Sequence, residues 1–209
     1  LALLELSPEG VCRAGAPPRA SLLRELPMGP PLSRLLGVLR KAKTNMSLGA
    51  ALALTSQLAG AMHHVHTKVG ATHGALDLDR ITVEPDGRVK LFGFLGDPRG
   101  LGWTAQQQRF WSPEHLRGEP LSPRSDVFAL GALLFELITG RSLFSGRSLH
   151  ELTQSVLRPE RWVPSQLDHR AAWGIDRIIQ RATALDPDDR FPTAAALQRA
   201  IDEQAEAVD

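Results

Sequence analysis

The sequence has one cysteine and almost no net charge, and each of these shortages argues against a class of protein. Cys12 is the single cysteine among 209 residues, so no disulfide can form within the chain. A lone cysteine argues against a disulfide-rich secreted scaffold and favours a reducing compartment, so a cytoplasmic protein is expected. The formal charge of +1 argues against a nucleic acid partner, because clustered Lys and Arg drive binding to phosphate backbones.

Long hydrophobic runs are also missing. The longest unbroken apolar run, Val127 to Phe135, is far shorter than the roughly 20 residues that a membrane span requires, so no membrane insertion is expected within this chain. The first residue is Leu1 rather than Met, and LALLEL lacks the basic start and the cleavage site of a signal peptide, so an internal piece of a longer protein is expected. With 43% hydrophobic residues, the chain can still bury a sizeable core.

Hydrophobic spacing in the first third of the chain predicts two short strands followed by helices. Ala2 to Leu6 and Ser21 to Leu26 are apolar runs separated by a stretch rich in Gly and Pro, which is typical of strands joined by turns. From Leu32 onward the period becomes helical. Ser47 is a predicted N-cap for a second helix, which should end before Gly70.

The rest of the chain predicts a hairpin, a loop and a helical bundle. EPDG separates ITV from RVKLF and predicts a turn between two strands. Residues 93 to 113 have no period and many glycines, which predicts a surface loop. The apolar stretch from Ser125 predicts a buried helix, while SLHE at 148 to 151 and Thr193 predict the starts of later helices.

Three motifs stand out: HGALDLDRITV at 73 to 83, RFWSPEHLRGEPLSPRSDVFALGALLFELITGRSLF, and DPDDRFPT. With these motifs, and with the predicted elements in this order, the chain resembles a eukaryotic-like protein kinase of the bacterial serine/threonine type over about residues 20 to 205. The resemblance implies an α+β, protein-kinase-like fold, with a mostly α-helical C-lobe and a remnant of the N-lobe sheet. It divides the chain into residues 1–26, two N-lobe strands that lead to the hinge, and residues 27–209, the C-lobe.

The short first part leaves little room for an N-lobe. Residues 1 to 24 hold at most two of its strands, so the glycine-rich loop, the lysine strand and its partner helix are expected to be absent from this chain. Natural truncation and a longer protein are both compatible with this expectation.

The resemblance places unusual residues at the family's catalytic positions. Such kinases read H-R-D-L-K-P-E-N where this chain reads HGALDLDR, so Ala75 replaces the catalytic Asp and Asp77 replaces the lysine. Arg80 replaces the metal-binding Asn, and Gly93 replaces the metal-binding Asp of D-F-G. Phosphoryl transfer on this fold depends on bound cations and on an Asp that accepts the hydroxyl proton. The replacements therefore imply that ordinary kinase activity is lost.

The positions that hold the family's fold are retained. The resemblance assigns His73 and Phe94 to the hydrophobic spine, Asp126 to an anchor at the head of the buried helix, and Glu114 with Arg190 to a buried ion pair. Retention of the fold positions together with loss of the catalytic groups predicts a pseudokinase that is not an enzyme. Its expected role is a scaffold or allosteric regulator that binds another protein, either an active kinase or a kinase substrate.

Other functions remain open as alternatives. An unorthodox nucleotide-dependent transferase would use Asp77 or Asp79 as its base. A metal-independent nucleotide-binding module would use Arg80 as a phosphate contact, with Thr82 where an apolar side chain usually packs under adenine. No cofactor or metal is expected, because no Cys or carboxylate has ligand-like spacing to the histidines of residues 63–73.

Overall fold

A computed structural model describes residues 29–93, 107–158, 162–169 and 173–207. This part of the chain is mostly helical, with one small sheet. Its helices are α1 (Leu32–Lys41), α2 (Leu48–Lys68), α3 (Pro113–Leu116), α4 (Pro123–Thr139), α5 (Leu149–Leu157), α6 (Trp173–Ala182) and α7 (Ala194–Glu206), and its strands are β1 (Ile81–Val83) and β2 (Val89–Leu91).

Helix α4 is the centre of the hydrophobic core. Every residue from Ser125 to Thr139 is buried, and α2, α6 and α7 all contact this helix. Ser122 caps the N-terminus in a reciprocal arrangement with Ser125, and Gly140 ends the helix with a φ of +67°. A helix that is apolar on all sides can be stable only when it is surrounded, so the predicted buried helix is confirmed.

Helices α1 and α2 form where the spacing predicts them. Leu32 and Leu36 are buried and form the side of α1 that packs on the core. The Ser47 hydroxyl accepts a hydrogen bond from the backbone N–H of Ala50 at 3.2 Å, which satisfies one of the free donors at the start of α2. The helix ends at Lys68, before Gly70, as predicted.

The predicted hairpin is confirmed, and α2 holds it in place. Strands β1 and β2 pair antiparallel, with Ile81 opposite Leu91. Gly87 occupies the turn with a φ of +82°, a conformation that glycine adopts without strain. The Gln57 side chain of α2 donates to the Gly87 carbonyl at 3.2 Å and accepts from the Val89 N–H at 3.1 Å.

The later helices also begin at the predicted caps. Ser148 accepts from the Glu151 N–H at 3.2 Å to start α5, and Thr193 accepts from the Ala196 N–H at 3.1 Å to start α7. Among the described helices, none is long and apolar enough to cross a bilayer.

The predicted surface loop at 93–113 is wrong in its described second half. Gln107–Phe110 forms a 3-10 turn, and the chain from Gln108 to His115 is buried. Phe110 lies in the core, and the rings of Trp111 and His115 stack with centroids 3.8 Å apart. This segment is buried although it has no hydrophobic period, because its aromatic side chains gain free energy when they leave water.

Some predictions fall on residues outside the described ranges. These are the two N-terminal strands at Ala2 to Leu6 and Ser21 to Leu26, and the spine position Phe94. The division at residue 26 stays a prediction for the same reason.

Candidate functional site

The segment 73–80 is held in place by the head of α4. Oδ2 of Asp126 accepts from the backbone N–H of His73 at 2.8 Å, and Oδ1 accepts from that of Gly74 at 2.9 Å. Nε2 of His66, near the end of α2, lies 2.7 Å from Oδ2 of the same carboxylate. One buried carboxylate therefore joins two helices to the segment.

His73 links this segment to the end of the hairpin. Its Nδ1 accepts from the Ala75 N–H at 3.2 Å, so the ring proton is on Nε2, which donates to the Phe92 carbonyl at 2.8 Å. Burial is the main effect on His73 and lowers its pKa below the usual value. A neutral imidazole with one donor and one acceptor suits both contacts.

The two aspartates of the segment have structural contacts. Asp77 is buried and caps the 3-10 turn Leu78–Arg80 by accepting from the Asp79 N–H at 3.2 Å. Asp79 is exposed and accepts a hydrogen bond from the Ser33 hydroxyl of α1. Ala75, which lies between His73 and Asp77 in the sequence, is fully buried and carries no group that can accept a proton.

Arg80 and Gly93 are in direct contact. Nη1 of Arg80 donates to the Gly93 carbonyl at 3.1 Å. Gly93 has a φ of +83°, and a Cβ built on it would lie 2.9 Å from the same Nη1. Burial lowers the pKa of Arg80, and the nearby Asp77 carboxylate raises it; a guanidinium stays charged in proteins. The resemblance assigns both positions to metal ligands. Position 80 instead holds a cationic side chain, and the lack of a side chain at position 93 leaves the space that the Arg80 guanidinium occupies.

This contact predicts that Gly93→Ala is more destabilising than Gly87→Ala. Both glycines have nearly the same positive φ, but a Cβ on Gly87 meets nothing within 4 Å. Both variants pay about 1–2 kcal/mol for backbone strain. Gly93→Ala should cost about 1 kcal/mol more, because Arg80 must move and lose its hydrogen bond. Urea unfolding measures the difference; equal costs, or an excess that persists in an Arg80→Ala background, would contradict the assignment.

Thr82 lies in β1, opposite Lys90. The residue is buried, and its hydroxyl has no hydrogen-bond partner among the described residues. The backbone of Pro31, just before α1, bridges to the same position. The resemblance places Thr82 at a position where an apolar side chain usually packs under adenine, and a buried position is compatible with that prediction.

Glu114 and Arg190 form the predicted buried pair. Nη1 and Nη2 of Arg190 donate to the two carboxylate oxygens of Glu114 at 2.7 and 2.9 Å. Arg190 is 1% exposed and also donates to the carbonyls of Ala184, Arg124 and Leu185. Burial acts to raise the pKa of Glu114, but the hydrogen bonds from Arg190 and Ser125 and the Arg190 charge lower it to about 2. The pair ties α3 to the chain before α7.

Sequence reasoning missed a second buried ion pair. Nε and Nη2 of Arg109 donate to the Glu136 carboxylate at 2.8 and 3.3 Å, and both side chains are buried. Glu136 was a usable signal, since a lone carboxylate within an apolar helix needs a partner. Arg109 was not, because it lies in a stretch without period. The described residues contain no cluster of three or more His, Cys, Asp or Glu that could hold a metal ion.

Comparison with known families agrees with the motifs. The family described as protein tyrosine and serine/threonine kinase matches residues 10–201. The chain belongs to the protein kinase family. The predicted resemblance and the kinase-like fold, mostly helical with a small sheet, are therefore confirmed.

Several relatives of this kinase-family chain come from bacteria. It is 30% identical to the serine/threonine-protein kinase Pkn1 of Myxococcus xanthus over 88% of the chain and 27% of the relative. It is 31% identical to the serine/threonine-protein kinase PrkC of Bacillus subtilis over 72% of the chain and 24% of the relative. A probable serine/threonine-protein kinase of Corynebacterium efficiens is 39% identical over 62% of the chain and 22% of the relative. The chain thus spans about a quarter of the length of these relatives.

The comparisons correct one prediction. The sequence reasoning predicted that this kinase-family chain is not an enzyme, from the replacements at Ala75, Asp77, Arg80 and Gly93. Its relatives are named serine/threonine-protein kinases, which points to an enzyme, so that prediction is wrong.

Proposed function

We propose that this kinase-family chain regulates another protein, with its helical lobe as the binding or allosteric surface. The proposed partner is an active kinase or a kinase substrate in the cytoplasm, and not a nucleic acid. The observation that carries the proposal is a contrast within one segment. Asp126 and His73 hold the segment through buried hydrogen bonds, whereas Ala75 offers no proton acceptor and Arg80 fills the space beside Gly93.

A rigid lobe suits protein recognition. A surface that is ordered before binding loses less conformational entropy when the partner arrives, so more of the contact energy appears as affinity. The Arg109–Glu136 pair fixes the chain just before α3, and the Glu114–Arg190 pair fixes α3 itself. This order supports a role in binding that depends on shape and does not require the family's usual transfer groups.

Phosphoryl transfer by a different set of groups is the second candidate, and the names of the relatives favour it. Asp77 is a buried carboxylate two residues after Ala75, and its charge acts on Arg80. Arginine can stabilise the charge of a transferring phosphoryl group, as arginine fingers do. In this candidate Asp77 or Asp79 would accept the hydroxyl proton.

Regulation is tested by titration calorimetry of the full-length protein against each serine/threonine kinase encoded in the same genome, with each kinase's phosphorylation rate measured in parallel. We expect one complex of about micromolar affinity or tighter, because a preorganised lobe needs few further contacts to reach it. The bound kinase should change its rate severalfold. Binding to none of these kinases or of their substrates would contradict the proposal.

The second candidate is tested by transfer of labelled phosphate from ATP by the protein alone. Turnover that is lost in Asp77→Ala or Asp79→Ala, but kept in Asp86→Ala, would support it. Asp86 is the matched control because it is an exposed aspartate in the hairpin turn, paired only with its neighbour Arg88 among the contacts described. Turnover that is unchanged in all three variants would refute the assigned base.

A further inference from the structure

The segment that leads from α1 to α2 carries positive charge that the proposed site does not use. We call residues 40–46 the α1–α2 turn. The sequence has no Asp or Glu among residues 29–76. Gly140, at the end of α4, lies against this turn, since a Cβ built on it would be 2.7 Å from Oδ1 of Asn45. Four exposed cations lie in the turn or directly after Gly140: Arg40, Lys41, Lys43 and Arg141.

The carboxylates that follow the neighbouring helices in the sequence are bonded elsewhere. Glu136 of α4 is buried, and both of its oxygens accept from Arg109. Asp79 accepts from the first turn of α1, at the far end of that helix. After α4 the first acidic residue is Glu151, which accepts from the Arg147 N–H at 2.7 Å. Within the part of the chain that the structure describes, none of the four cations forms an ion pair.

Helix α7 carries further exposed carboxylates, but it packs on a later part of α2. Two contacts show that these helices run antiparallel: Gln198 lies against Gly60, and Asp202 accepts from the Ser56 hydroxyl at 2.6 Å. Glu206, one turn after Asp202, is then level with about Leu52, which is about 9 Å along the chain axis from Met46. Glu203 is farther along still. Because exposed charges are screened over about 8 Å at physiological ionic strength, the surface of the α1–α2 turn is positive.

A small, mainly apolar cavity lies beside these cations. Its volume is about 50 Å³, and Arg40, Thr44 and Asn45 form part of its wall. The apolar side chains that line it are Leu36, Leu39, Met46 and Leu137. A cavity of this size holds a few water molecules or the end of one aliphatic side chain. An apolar side chain that displaces poorly ordered water from such a cavity gains affinity.

Lys43 has a backbone conformation that lysine rarely adopts. Its φ is +52°, the one positive value found outside glycine among the described residues. The Thr44 N–H donates to the Leu39 carbonyl at 3.0 Å, and the Lys43 N–H donates to the Arg40 carbonyl at 3.1 Å. This pair of bonds ends a helix in a motif that usually has glycine at the position of Lys43. Residues in such unfavourable conformations cluster at functional sites, so the lysine side chain is a candidate contact.

The charge and the cavity together select the class of partner. A membrane surface is too flat to enter a concave cavity, and a nucleic acid backbone has no aliphatic side chain to fill it. A protein segment that carries both carboxylates and aliphatic residues matches both features. Carboxylates form charge-assisted hydrogen bonds with Arg and Lys, and the aliphatic side chain fills the cavity.

We infer that the α1–α2 turn is a docking site for an acidic segment of a partner protein that inserts an aliphatic side chain. The cavity beside Leu39 takes this side chain, while Arg40, Lys43 and their basic neighbours contact the carboxylates. This inference rests on the proposed regulatory function and names the surface through which the partner is bound.

The test is fluorescence anisotropy of the full-length protein with a labelled peptide that places Leu and Ile among Asp and Glu residues. We expect Lys43→Gly and Arg40→Gln each to weaken binding about fivefold, and the double variant more than about tenfold. Lys43→Gly should not lower the melting temperature, because glycine adopts a positive φ without strain. The matched control is Lys68→Gln, which removes an exposed lysine about 30 Å away, at the other end of α2.

Each contrary result would overturn the inference. The contrary results are no binding of the peptide, equal binding after Gly replaces its Leu and Ile, an equal loss in Lys68→Gln, or tighter binding of single-stranded RNA or phosphatidylserine vesicles. Weaker binding by Lys43→Gly together with a lower melting temperature would assign Lys43 a structural role instead. A kinase partner that binds the double variant with unchanged affinity would overturn the docking site but keep the regulatory function. Loss of peptide and partner binding in the double variant would support both.

Discussion

Replacing Arg190 with methionine should lower the free energy of unfolding by about 3–5 kcal/mol, the largest stability effect expected for a single change in this chain. The guanidinium makes two hydrogen bonds to Glu114 and three to backbone carbonyls, and it is 1% exposed. Methionine fills part of the space but leaves the Glu114 carboxylate buried without its cation. Urea unfolding followed by circular dichroism gives the change.

Two comparisons isolate the cause of this loss. Arg117→Met removes an exposed arginine that lies 3.8 Å from Glu119, and its cost should stay within about 0.5 kcal/mol. The double variant Glu114→Met/Arg190→Met should recover part of the loss, because no charge is then left buried alone. A cost below about 1 kcal/mol for Arg190→Met would show that the pair does not hold the lobe together.

The same pair predicts how stability changes with acid. The pKa of Glu114 is lowered to about 2 in the folded chain, whereas an unfolded Glu titrates near about 4.3. The folded state therefore binds fewer protons, so the contribution of Glu114 is fully present above about pH 4.3 and is lost as the pH falls toward about 2. The stability difference between the parent chain and Arg190→Met should shrink over this window.

The double variant Arg80→Asn/Gly93→Asp should convert nucleotide binding from metal-independent to metal-dependent. In the parent chain, Arg80 holds a permanent cation against the Gly93 carbonyl. We expect weak ATP affinity that is equal in Mg²⁺ and in chelator. In the double variant the cation is gone and two oxygen ligands face the space, so Mg²⁺ should raise ATP affinity about a hundredfold. Titration calorimetry in both buffers measures this.

Single variants separate the two contributions. Gly93→Asp alone should gain no metal dependence, because the new carboxylate would lie beside the Arg80 guanidinium and pair with it. Aspartate tolerates the positive φ at this position better than most residues. If the parent chain itself binds ATP at about micromolar affinity only in the presence of Mg²⁺, Arg80 does not replace the metal.

Sequence reasoning succeeded where one local pattern decides the structure. Ser47 and Thr193 cap their helices because a hydroxyl before a helical period has one favourable use. The helix from Ser125 was predictable because its residues are apolar on every side. The Glu114–Arg190 contact came from the resemblance, since no local pattern links residues so far apart.

It failed where tertiary contacts override local pattern. Gln108 to Pro113 looked like part of a surface loop because it has no hydrophobic period, but the Arg109–Glu136 pair and the stacking of Trp111 on His115 bury it. The contact between Arg80 and Gly93 is also tertiary. Sequence could assign both positions to metal ligands by resemblance, but it could not say that one side chain fills the space of the other.

The bonds from Asp126 to the segment at His73 also limit how early this part of the chain can fold during its synthesis. Asp126 is synthesised 53 residues after His73, which takes about 3–11 s at about 5–20 residues per second. The nascent segment therefore has to wait for its anchor, with the apolar surface of α2 still uncovered during the delay. Arg190 arrives 76 residues after Glu114, about 4–15 s later. Until α4 is complete, the side of α2 that will face it therefore stays exposed to water, and the Glu114 carboxylate waits longer still for its cation.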